Sequence, residues 1–221
     1  MGLFDLFTKR GGGDAQAKAS KGTSPRELAR LTRVVSNKLS QNYDRQDAIE
    51  ALSQMANADG ARALLRRFDF TMEPSIVDQD EKESAARGIA AAGKAAIQPI
   101  RDYCARAESL TWPLKVLRQV VPSDELVAEL LALLDQFDTE YMRNPEPKIQ
   151  LVSLLEEHPC AEVREAVTQF LGDVNESVRF HAAGTLFKMA DESTLAPLVD
   201  ALVEEESLRV KNRIARGLQQ G

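Results

Sequence analysis

Between Asn175 and Leu202 the chain reads NESVRFHAAGTLFKMADESTLAPLVDAL, and its apolar residues fall at helical spacing. Counted from Arg179, Ala182, Ala183, Leu186 and Met189 stand at +3, +4, +7 and +10, which is one stripe of an α-helix. A second run, Leu195, Leu198 and Leu202, follows at +16, +19 and +23. The same offsets from Arg45 give Ala48, Ile49, Leu52 and Met55, then Ala61, Leu64 and Phe68. From Lys82 they give Ala85, Ala86, Ile89 and Ala92, with a second run (Ile97, Ile100) one residue early. From Lys148 they give Leu151, Val152 and Leu155, then Val163, Val167 and Phe170. From Lys211 they give Ile214, Ala215 and Leu218. A weaker copy with no basic residue at its zero position starts at Leu110, with Leu114, Leu117 and Val120, then Leu126, Leu130 and Leu133. The zeros recur every 28 to 38 residues, with two helices per unit. Neither helix can bury its stripe alone, so each unit must stack on the next, as in an α-solenoid. Small residues at +3 and +4 let the helices approach closely.

Upstream of the array the pattern changes. In MGLFDLFTKR, Leu3, Phe4, Leu6 and Phe7 share one side of a short helix, followed by Lys9 and Arg10. GGGDAQAKASKGTS then has no apolar period and reads as a flexible linker. Ser24-Pro25 supplies a cap oxygen and a first-turn proline, and Leu28, Leu31, Val35 and Leu39 follow at helical spacing. Residues 1–23 are therefore expected to be a basic arm and residues 24–221 the repeat domain. In the turn GDVNES, Gly172 suits a helix end and Ser177 the next start.

Composition supports this picture and narrows the chemistry. Of the 221 residues 43% are hydrophobic but only 5% aromatic, which fits many small helix–helix contacts. The net charge of -6 is uneven: residues 1–40 carry eight basic and three acidic side chains, leaving the remainder at -11. A basic arm on an acidic body suits a polyanion, an anionic membrane or the body itself. The acidic body argues against a nucleic-acid groove. Cys104 and Cys160 have no partners at ligand spacing, which points to a reduced cytosolic chain. No apolar run approaches the ~20 residues of a membrane span. His158 and His181 are the only histidines, and neither sits in a ligand set of the size zinc needs. No histidine neighbours Cys104 to activate it, and the GGG at 11–13 lacks a phosphate loop's Lys-Ser/Thr ending. The expectation is no catalytic residue, no metal and no cofactor.

Val178-Arg179, Ala182-Ala183, Leu186, Leu195, Pro197, Leu198 and Leu202 resemble a HEAT-like repeat of the short bacterial kind, and AAGKAAIQPI at Ala91–Ile100 is similar to the junction of such a repeat. The resemblance covers roughly residues 42–221. It implies an all-α, right-handed α-solenoid of about five HEAT-like helical hairpins plus a terminal helix, with the Val-Arg helix on the concave side. Arg45 and Arg179 would then bond repeat to repeat. With +3, +4 and +7 buried, +2, +5 and +9 face the groove. Those offsets select Asp47, Glu50 and Gln54, then Ser84, Arg87 and Ala91, Trp112, Lys115 and Gln119, Gln150, Ser153 and Glu157, and last His181, Gly184 and Lys188. Two acidic stretches, 69–83 and 135–148 (with Asp135, Asp138, Glu140 and Tyr141), could dock a partner at the groove edge. The function expected is a non-catalytic cytoplasmic scaffold or adaptor that binds another protein through this face or the acidic loops. One rival is a membrane-surface adaptor held at the inner membrane face by Leu3, Phe4, Leu6, Phe7, Lys9 and Arg10. The other is a HEAT-like enzyme of the bilin-lyase or DNA-glycosylase type, although neither histidine is followed by the Glu that HEAT-like iron enzymes use.

The helix phase is tested by two substitutions in one helix. Ala183→Asp places a charge in the inter-helix layer and should cost roughly 3 kcal/mol or more in urea unfolding. Lys188→Asp, on the open side, should cost about 0.5 kcal/mol or less.

Overall fold

The structure, a computed structural model, describes residues 23–189 and 192–219. A leading helix α1 (Pro25–Val35) is followed by five helical hairpins: α2 (Asn42–Ser53) with α3 (Ala58–Leu65), α4 (Ser75–Ala91) with α5 (Ile97–Cys104), α6 (Thr111–Val120) with α7 (Ser123–Leu134), α8 (Glu146–Leu155) with α9 (Ala161–Thr168), and α10 (Glu176–Phe187) with α11 (Glu192–Glu204). A terminal helix, α12 (Leu208–Leu218), ends the array. Short 3-10 turns prolong α3 and α9 and lead into α5, and there is no strand among the described residues. The chain is thus an all-α stack of hairpins.

Helix starts follow local chemistry. Ser24 Oγ accepts the Glu27 N–H at 3.2 Å, and Pro25 occupies the first turn of α1. Asn175, rather than Ser177, caps α10: its Oδ1 accepts from the N–H groups of Ser177 and Val178. An amide oxygen one residue before the helix can reach both orphan donors, whereas Ser177 already lies within the first turn.

The expected stripes form the core. Ala48, Ile49, Leu52, Ala85, Ala86, Ile89, Leu114, Leu117, Leu151, Val152, Leu155, Ala182, Ala183, Leu186 and Ile214 are all buried. In the second helices so are Ala61, Leu64, Ile100, Leu126, Leu130, Leu133, Val163, Val167, Phe170 and Leu198. Two expected positions fall outside. Leu39 is 88% exposed because α1 stops at Val35 and Asn37 turns the chain, its Oδ1 accepting the Leu39 N–H. Leu195 is 41% exposed, as are Val199 and Val203 farther along α11. It lies on α11, after which the described residues hold only α12.

The first helices pack side by side, α2 on α4, α4 on α6, α8 on α10 and α10 on α12. Three of these junctions are bridged by a cation at the repeat's zero position. Arg45, 1% exposed, donates from Nε and Nη2 to the Glu81 carboxylate of α4 at 3.0 and 3.1 Å, and also bonds the Ser40 carbonyl. Lys148 pairs with Asp173 at 2.6 Å, and Arg179 with Glu205 at 2.7 Å. Asp173 and Glu205 lie in the turns before α10 and α12, and each also accepts a backbone N–H two residues on, from Asn175 and Ser207, at 2.7 Å. The first bridge widens into a buried cluster, because Arg67 donates to Glu81 and to Asp78, both at 2.7 Å, and Lys82 pairs with Asp78 at 2.8 Å. The acidic stretch 69–83 is therefore no exposed docking loop: α4 begins at Ser75, and its carboxylates Asp78 and Glu81 are consumed in the interior.

Burial alone would raise the Asp78 pKa, but hydrogen bonds from Lys82 and Arg67 outweigh it and hold the carboxyl below its usual value. Glu205 is likewise held low, chiefly by its bond to Arg179.

Removing Glu81 leaves two buried guanidiniums short of a counter-charge. Glu81→Ala should lose about 3–5 kcal/mol in chemical unfolding, against about 0.5 kcal/mol for breaking the exposed Arg118–Glu157 pair by Glu157→Ala. A second expectation concerns acid. Folded pKa values below the unfolded values of about 4 mean that the native state binds fewer protons in that interval. The stabilisation from Asp78 and Glu205 is then complete above about pH 4 and is lost as pH falls through the folded values. Melting temperature followed by circular dichroism should hold steady from neutral pH down to about 5 and then drop.

Candidate functional site

Two junctions in the first-helix layer have no zero-position cation across them: at α4–α6, Lys82 pairs with Asp78 of its own helix and the helices still pack, and the other is α6–α8. The third unit carries Leu110 at its zero position, fully buried, and α6 and α8 do not pack directly as the other first helices do. The link is made by Gln150 of α8. Its Oε1 accepts the Leu110 N–H at 2.5 Å, and its Nε2 donates to Thr111 Oγ1 at 3.0 Å and Glu146 Oε1 at 2.8 Å. At the far end Arg118 and Glu157 pair across the gap at 3.1 Å. Between these ties lies a cleft of about 640 Å³. Its apolar lining comes from Leu114, Ile149 and Leu154, and its polar lining includes Lys115, Gln119 and Ser153. An apolar floor with a few polar groups at its rim is the usual make-up of a recognition pocket.

A second cavity, about 720 Å³, lies between α10 and α12. Phe180 and Phe187 supply its rings, and Lys188, Arg209, Arg213 and Arg216 line it together with one carboxylate, Glu156. Arg209 and Arg213 both lie over the Phe180 ring, at 4.1 and 5.0 Å from its centre. Arg213 can cross α10 only because residue 184 is glycine: a Cβ there would stand 2.3 Å from Arg213 Nη2. Glu156 holds this cluster, with Arg213 at 2.9 Å, Lys188 at 3.6 Å and His181 Nδ1 at 3.8 Å. The His181 distance is too long for a hydrogen bond. Burial lowers the His181 pKa; Glu156 opposes this, and Arg209 and Arg213 reinforce it, so the ring favours its neutral form.

The residues selected by spacing therefore separate. Gln119, Gln150 and Lys115 line the cleft, and Lys188 lines the second cavity. His181 sits beside that cavity, half-buried against Phe180. Asp47 and Glu50 on α2 and Arg87 on α4 are exposed and line neither hollow. Trp112 is turned inward: its ring stacks on Phe68 at 5.6 Å, with Lys115 Nζ 4.7 Å from its centre. Leu3, Phe4, Leu6, Phe7, Lys9 and Arg10 lie outside the described residues. Sequence reasoning missed Arg118, Ile149 and Leu154 in the cleft, and Phe180, Arg213 and Arg216 in the second cavity. For Arg213 and Arg216 the signal was present, since they stand at +2 and +5 from Lys211, but the rule was not carried into the terminal helix. Ile149 and Phe180 stand at +1, outside the offsets taken to face the groove.

The connector 135–145 is tethered rather than free. Lys148 Nζ donates to the carbonyls of Asp138 at 2.8 Å and Glu140 at 3.3 Å, and Asn144 donates to the Glu108 carbonyl. Tyr141 at its tip is 82% exposed. Cys104 is buried, and burial pushes its thiol pKa up to about 12, so almost no thiolate forms near neutrality. No cluster of metal-ligating side chains occurs among the described residues, and no helix there is long and apolar enough to cross a membrane.

Residues 127–219 match the family model of HEAT repeats. With the stacked hairpins, this match supports a HEAT-like repeat protein. The match opens inside α7, and the two hairpins upstream, where the buried Arg45–Glu81–Arg67 cluster sits, lie outside it. No curated protein matches the chain.

Proposed function

We propose that the protein is a non-catalytic scaffold that binds another protein along its first-helix face, with the α6–α8 cleft as the principal contact. The observation that carries this reading is the cleft itself. Everywhere else adjacent first helices close on each other, whereas here they stand apart over an apolar floor. HEAT repeats commonly serve protein–protein interaction, and a stacked array keeps such a face rigid while its surface side chains vary. The inertness of the Cys104 thiol is in keeping with binding rather than nucleophilic chemistry. A partner helix or extended segment would set apolar side chains against Leu114, Ile149 and Leu154 and meet Lys115, Gln119 and Glu157 at the rim.

Ser153 lines the cleft without belonging to the buried core, so Ser153→Arg fills the hollow with a long cation and spares the stack. Full-length protein should co-purify a specific protein from its native extract, and Ser153→Arg should reduce that recovery at least about tenfold with an unchanged melting temperature. Equal recovery by the variant would rule the cleft out as the binding site.

A further inference from the structure

The α10–α12 cavity has a charge that the rest of the protein does not share. The chain as a whole is at -6, yet this hollow is lined by four cations and one carboxylate. We infer that the cavity is a second binding site on the same face and that it takes an acidic segment of a protein partner. The inference rests on the reading of this face as protein-binding.

Arg213 is partly neutralised by Glu156. Arg209 pairs with Glu176 at 3.2 Å, outside the cavity. Arg216 forms no ion pair among the described residues, and Lys188 approaches only the shared Glu156. The Nε of Arg213 is buried with no hydrogen-bond partner. The site therefore holds more donors than it satisfies. A planar guanidinium laid on a ring is oriented before its ligand arrives and presents N–H groups at its edge, which suits carboxylates. Gly184 is the device that lets Arg213 take this position.

The same geometry selects against nucleic acid. Single strands bind by stacking bases on open aromatic faces along a continuous positive track. Here Phe180 is already covered by Arg209 and Arg213, and the positive charge is confined to one cavity between two helices. A flat anionic membrane cannot enter a recess lined by Gly184, Phe187 and Gly217. A peptide can do so, placing Glu or Asp side chains against Arg213 and Arg216 and an apolar side chain against Phe187.

The test uses full-length protein and a fluorescent peptide of glutamate and aspartate interspersed with leucine, measured by anisotropy. Binding is expected, should weaken as salt rises, and should fall about tenfold or more in Arg213→Glu and Arg216→Glu. Gly184→Ala keeps every charge but displaces Arg213, and it should weaken binding too, which a purely diffuse attraction would not show. Absence of peptide binding overturns the inference. So does equal binding by Gly184→Ala, or preferential binding of phosphatidylserine vesicles or a single-stranded oligonucleotide lost in the same variants. Ser153→Arg lies in the other hollow and should leave peptide affinity unchanged. Failure at the α10–α12 cavity is thereby separated from failure of the cleft.

Discussion

The array depends on a cation, buried at Arg45 and Lys148 and partly buried at Arg179, that begins a repeat and ends its reach in the next one. Arg45, Lys148 and Arg179 each cross a junction to a carboxylate, and two of those carboxylates also fasten the turn that starts the following helix. Such pairs contribute little net stability over apolar packing, because desolvation offsets most of the attraction. Their weight lies in the alternative: a stack slipped by one turn would strand a charge in the interior. Apolar stripes of alanine and leucine tolerate slippage, and paired charges do not.

At one of the two junctions without this device the face opens. Leu110 stands in place of the cation, Gln150 makes a neutral bridge, and α6 and α8 part to leave the cleft. At the next junctions the cations return and the helices close, and there the second cavity owes its shape to Gly184 and to guanidiniums lying on Phe180. One departure from the repeat and one glycine within it thus create the two hollows on an otherwise closed layer. Function on a repeat scaffold of this kind is expected at such irregularities, since the regular positions are committed to stacking.

Much of the fold was legible along the chain because a helical stripe is a local property. Ala182, Ala183 and Leu186 repeat their spacing wherever a first helix occurs, and the hairpins followed from it, including the unit at Leu110 with its degenerate pattern. The sites were legible only in part. Lys115, Gln119, Gln150 and Lys188 came from the correct offsets, but Trp112 at an equivalent offset packs on Phe68. Its ring is large enough to reach the neighbouring unit, so packing overrode phase. Asp78 and Glu81 read as surface acids because nothing local reveals that Arg67, in the preceding turn, would draw them inward.

The sequence by itself determined that the protein is a stack of helical hairpins, where most hairpins begin, and which side of each first helix is buried. These follow from periodicity and from caps such as Ser24, which act over a few residues. Only the tertiary structure decided which cations face which carboxylates, that α6 and α8 stand apart, and that Arg213 lies across Gly184 over the Phe180 ring. Those are relations between residues some thirty positions apart. They are set by how closely two helices approach, and no spacing within one helix encodes that distance.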